Sequence, residues 1–165
     1  MKTIQQKTRG WLWFFIISLA ISGLTAIPLE TELDMVSRLF PLDSKIGAWI
    51  DRVYQGVYDT NQRYPFMAYG YDWLAFAHFV MAILFIGPLK DPVRNKWVIE
   101  FGLLACILII PFALLAGHFR GIPLWWRFID ASFGIIGLLP LFICLGKIRR
   151  TESLHQKTMD DQNAC

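Results

Sequence analysis

A chain of 165 residues has room for one domain, and a content of 55% hydrophobic and 15% aromatic residues is higher than a soluble domain of that size normally carries. The balance of 16 Lys and Arg against 13 Asp and Glu gives a net charge of +3, and no basic surface interleaved with aromatics suggests nucleic acid. The cysteines, Cys106, Cys144 and Cys165, are an odd number without metal-ligand spacing, and the last is not placed for prenylation.

The apolar residues are clustered rather than spread, and the clusters run in chain order. A helix rises about 1.5 Å per residue and a bilayer's hydrocarbon core is about 30 Å thick, so a span needs about 20 apolar residues. The first run, 11–27, is slightly short, but Trp11 and Trp13 suit the interface, where indole rings anchor helices. Leu24 and Ala26 make a poor cleavage pair, so the run reads as a retained helix rather than a signal peptide. In the long loop 28–64, Trp49, Ile50, Val53, Tyr54 and Val57 recur at helical spacing from Ile46. They predict one short amphipathic helix, capped by Asp43 or Ser44, acting either as a lid or as an interfacial anchor. Residues 59–65 read as a polar turn. The second span, 66–88, starts at Pro65, a natural first-turn residue. The third and fourth, 97–117 and 125–145, are long enough outright and contain Pro111 and Pro140, which predict kinks. Residues 151–165 read as a polar tail.

The expected fold is therefore an all-α four-transmembrane-helix bundle, a single domain over 1–150. Lys2, Lys7 and Arg9, then Lys90, Arg94 and Lys96, then Lys147, Arg149 and Arg150 all fall on one side of four crossings. The positive-inside rule makes that side cytoplasmic, with both termini there and loop 28–64 outside, as in a bacterial inner membrane protein. Their charge faces anionic headgroups. Small residues predict the packing faces: Ser18, Ser22 and Ala26 on the first span, Ala75 and Ala82 on the second. Gly102 with Cys106 and Ala113 with Gly117 do so on the third, and Gly134 with Gly137 on the fourth.

The informative residues are ionisable ones in or beside the spans, because each costs at least about 2.5 kcal/mol at the bilayer centre. His78 falls about 15 Å and Asp72 about 24 Å above the inner face, while Arg127 and Asp130 fall about 3 and 7 Å below the outer one. His118 and Arg120 end the third span. All six gather in the outer half. In one role His78, Asp130 and Asp72 are acid-base residues and His118, Arg120 and Arg127 hold a phosphate or carboxylate. Tyr69, Tyr71, Trp73, Trp125 and Trp126 then line the mouth. In blander roles, Arg127 and Asp130 form an intrahelical ion pair and His78 bonds a neighbouring helix. Glu100, Arg94, Lys96 and Asp91 read as a network at the inner turn.

Three function classes fit the cluster. The first is a site that binds or transforms a lipid or amphiphile, and the second is a non-catalytic accessory subunit of a membrane complex. The third is a small b-type haem or metal-binding membrane protein, with His78 and His118 as haem ligands, against which their depth difference of about 15 Å argues, or with His78, Asp72 and Asp130 around a metal. No metal motif, nucleophile elbow, phosphate-cradling glycine loop or inverted repeat is present, so no cofactor is assigned. The expected partners are membrane lipids and other membrane subunits.

Overall fold

The computed structural model describes the backbone of residues 2–163 and the side chains of 8–150, 152 and 153. It is all-helical, and no strand occurs among the described residues. The helices are α1 (Lys2–Ala26), α2 (Leu29–Ser37), α3 (Lys45–Arg63), α4 (Tyr69–Leu84), α5 (Ile86–Lys90), α6 (Lys96–Phe119) and α7 (Leu124–Asn163), with a 3-10 turn at Pro65–Ala68. Four segments are long and apolar enough to span a membrane: Thr8–Ala26, Pro65–Lys90, Lys96–Phe119 and Leu124–Arg150. Their outward faces carry large bare side chains such as Phe112 and Phe142, each 71% exposed, which suit an apolar solvent far better than water.

The chain divides into two compact units, Met1–Ile17 with Ile83–Cys165, and Ser18–Ala82. The first is organised by the α6/α7 hairpin. A Cβ on Gly134 would lie 2.5 Å from the Cys106 carbonyl oxygen, and one on Gly137 would lie 2.8 Å from the Cys106 sulfur. Close backbone approach of this kind replaces hydrophobic burial as the source of contact between apolar helices. One turn on, the Phe85 ring fills the space over Gly102 and stacks at 4.7 Å on Phe15 of α1. Leu12, Phe85, Ile99, Leu141 and Cys144 are wholly buried around it. The small-residue faces expected on the third and fourth spans are the ones that meet.

In the second unit, Gly23, beside the expected Ser18–Ser22–Ala26 stripe, makes a close approach. A Cβ there would lie 2.9 Å from His78 Cβ and 3.0 Å from the Ala75 carbonyl oxygen of α4, whereas Ser18 is exposed. The long loop holds two helices where one is expected. Leu29, Leu33 and Val36 give α2 an apolar stripe, and Glu30 and Glu32 favour its first turn through the helix dipole. Ser44 caps α3 by accepting from Gly47 N at 2.9 Å. This helix runs on through the residues expected to form a polar turn, to Arg63. Asn61 donates to Glu30 at 2.7 Å and so ties α3 to α2. Tyr54 of α3 faces the same acids: partial burial, then Asp34 and Glu30, raise its phenol above the usual value.

Two further boundaries differ from expectation. The second span breaks between Leu84 and Ile86, where Pro88 has no N–H to offer the Leu84 carbonyl. Helices α6 and α7 continue through Pro111 and Pro140. Helix α7 also continues past the expected end of its span to Asn163, over a stretch free of Gly and Pro after Gly146. That extension carries Glu152, which accepts from Lys96 Nζ at 2.7 Å, while Glu100 lies 3.8 Å from Arg149. These pairs replace the network expected at the turn, where Asp91 instead caps the Arg94 N–H at 3.0 Å.

Substituting Gly134→Ala should destabilise the detergent-solubilised protein by about 1–3 kcal/mol, because the obstructing atom is backbone. A Cβ on Gly146 would meet nothing within 4 Å, so Gly146→Ala should be neutral or stabilise by up to about 1 kcal/mol. Thermal unfolding of both variants checks the contrast.

Candidate functional site

Four of the six residues expected in a site, His118, Arg120, Arg127 and Asp130, belong to the first unit, and Asp72 and His78 belong to the second.

In the first unit the loop between α6 and α7 is a Schellman turn. Gly121 N donates to the His118 carbonyl at 3.2 Å and Ile122 N to the Gly117 carbonyl at 2.9 Å, which closes the carboxyl end of α6. Gly121 has φ of 69°, the left-handed conformation that glycine enters without a Cβ penalty, and Pro123 follows. His118 and Arg120 are exposed on this turn, and the His118 ring meets Phe119 edge-on at 5.8 Å. The positive charge of Arg120 suits a helix carboxyl end, so the position alone gives it a structural role.

Arg127 does not pair with Asp130. Its stem lies over Gly117, where a Cβ would fall 2.5 Å from both Cγ and Cδ, and Nη1 donates to the Leu114 carbonyl at 3.2 Å. The guanidinium thus sits on the last turns of α6, where the dipole and an extra carbonyl lone pair attract it. A helical side chain leans toward the amino end of its own helix, which turns Arg127 away from Asp130. The Nε of Arg127 is buried with no hydrogen-bond partner, and Asp130 is half-buried with no partner among the described residues.

In the second unit His78 Nδ1 lies 2.8 Å from the Leu74 carbonyl of its own helix. That carbonyl can only accept, so Nδ1 is the donor in this contact. The residue packs on Gly23, in the helix contact expected from its sharing a face with Ala75 and Ala82. Asp72 lies on another face, exposed, in an open groove of about 270 Å³ lined by Tyr69, Asp72, Trp73 and Phe76. The rings stand edge to face, Tyr69 on Trp73 at 5.9 Å and Trp73 on Phe76 at 5.7 Å. Tyr69 and Trp73 are among the aromatics expected beside the polar cluster. Phe76 is an addition, although 69, 72, 73 and 76 follow the spacing of one helical face. Trp125 and Trp126 pair with each other at 5.4 Å.

Among the described residues no three His, Cys, Asp or Glu side chains gather as metal ligands do. What the arrangement offers chemically is recognition: a carboxylate between π-faces attracts a cation.

Comparison of the chain with known protein families, curated proteins and solved structures finds no match. A double-mutant cycle on Arg127→Gln and Asp130→Asn should give a coupling energy below about 0.5 kcal/mol in thermal unfolding, as for residues without a shared interaction. A coupling above about 1 kcal/mol would restore the ion pair.

Proposed function

We propose that this chain is an integral membrane protein of four crossings, with both ends cytoplasmic and α2 and α3 outside, and that it binds an amphiphile with an ammonium headgroup without transforming it. The carrying observation is the groove on α4, where the Asp72 carboxylate stands among Tyr69, Trp73 and Phe76 with no protein partner among the described residues. A carboxylate near the end of an apolar span is costly unless water or a cation meets it. Aromatic faces beside it favour an organic cation over a bare metal ion. The orientation is supported by the Lys and Arg residues at the ends of α1, α5 and α7.

Binding without catalysis is favoured because the histidine of the expected acid-base set is engaged elsewhere. His78 is bonded to its own backbone and packed on Gly23, and Arg127, expected to hold an anion, lies against α6. The same observation favours a second reading, an accessory subunit of a membrane complex whose polar residues serve only to hold helices.

In reconstituted vesicles, a photoreactive phosphatidylcholine should label α4 of the wild-type protein. Asp72→Asn combined with Trp73→Ala should lower that labelling roughly tenfold, the scale of a desolvated cation–π contact. Equal labelling of wild type and variant would remove the ligand reading in favour of the accessory one. Topology is tested separately: a cysteine at Asp59 should react with an impermeant thiol reagent added to intact cells, and one at Glu152 should react only after lysis.

A further inference from the structure

A second cavity lies in the first unit. It encloses about 100 Å³ between α1 and the α5 end, lined by Thr8, Arg9, Leu12, Pro88, Leu89, Lys90 and Pro92. Its lining divides by chemistry. Leu12, Pro88 and Leu89 are buried and apolar, Thr8 is a buried hydroxyl residue only 3% exposed, and Arg9 and Lys90 are exposed cations.

Helix α5 ends at Lys90, so the Leu89 carbonyl lies in a last turn with no later N–H to receive. Arg9 Nε donates to it at 3.3 Å. That one bond fixes the planar guanidinium against the cavity wall and leaves its two Nη groups for another acceptor. Among the described residues neither Arg9 nor Lys90 has a carboxylate within ion-pair distance, and the cavity lining contains no acid. Asp91, the nearest acid in sequence, is engaged with the Arg94 N–H. Two cations over an apolar floor are complementary to an anion that carries an apolar body.

We infer that the Thr8–Arg9–Lys90 cavity binds the phosphate of an anionic phospholipid headgroup, with Arg9 Nη and Lys90 Nζ donating to the phosphate oxygens and Leu12 and Pro88 meeting the start of the lipid's apolar part. This rests on the membrane placement proposed above, but not on the α4 groove. An arginine fork matches two phosphate oxygens at once, whereas a lysine adds a mobile point charge. Basic recesses between helices on the cytoplasmic side are suited to such headgroups. The sequence shows Arg9 and Lys90 only as members of a basic fringe. The fold separates them from Arg94 and Arg150, which do not line the cavity.

The test uses the full-length protein in vesicles of phosphatidylcholine with phosphatidylglycerol. Flotation with the vesicles reads membrane placement, and native mass spectrometry after extraction reads the retained lipid. The wild type should float and retain one phosphatidylglycerol in preference to phosphatidylcholine. Arg9→Gln with Lys90→Gln should float equally and lose that preference about tenfold. Arg94→Gln, which removes a cation outside the cavity, should bind as wild type. Should the double variant unfold, Arg9→Gln and Lys90→Gln singly should each weaken retention several-fold. Equal binding by all variants, or an equal loss in Arg94→Gln, would overturn the site in favour of diffuse fringe charge. Displacement of the lipid by millimolar inorganic phosphate would assign the site to free phosphate and overturn the lipid assignment. Failure to float at all would overturn the membrane placement and this inference together, whereas flotation without headgroup preference overturns this inference alone.

Discussion

The Cys106 carbonyl occupies the space that a side chain at Gly134 would need, and the hairpin of α6 and α7 depends on that contact. Between two helices whose outward faces are as apolar as their inward ones, burial of a leucine discriminates little. Close backbone approach does discriminate, because it adds dispersion contacts that an apolar solvent would not supply equally. The glycines permit the approach, and the approach then places larger groups. Phe85 over Gly102 and the Arg127 stem over Gly117 both fill hollows that glycine leaves.

The acceptors within reach explain where the polar donors turn. A donor among apolar helices is stabilised by any acceptor nearby, and helix carbonyls are the commonest. Three groups take that course: His78 onto Leu74, Arg127 onto Leu114, and Arg9 onto Leu89. In each case a donor meets an oxygen, and the element receiving it is held more firmly. Asp72 and Asp130 cannot follow, since a carboxylate only accepts and helix interiors present no free N–H. That asymmetry between donors and acceptors is why the acids, and not the histidine or arginine, remain without a protein partner among the described residues.

Much of the architecture is legible in one dimension. Four runs of sufficient length, the cap at Ser44, and the small residues of α6 and α7 can be read directly, because hydropathy and residue size act locally. The elements that escape such a reading have equally local causes. Helix α2 is hidden because Leu29, Leu33 and Val36 form a short stripe among acids. The end of α3 is hidden because Asp59, Asn61 and Gln62 look like turn residues until Asn61 is seen bonded to Glu30. Gly23 stands beside a longer run of small residues, and only the partner helix shows which face is met. The candidate site is legible as a set of costly residues, but not as a set of roles.

By itself the sequence determined the class of solvent the helices suit, the number of apolar segments, and the identity of the ionisable residues that interrupt them. Composition and periodicity are properties of single segments, and they need no partner. Only the tertiary structure decided that Arg127 turns from Asp130 to α6, that His78 is a packing residue on Gly23, and that Arg9 and Lys90 frame one cavity with Thr8. Those outcomes depend on which acceptor another element brings within about 3 Å, a distance that spacing along one helix does not encode.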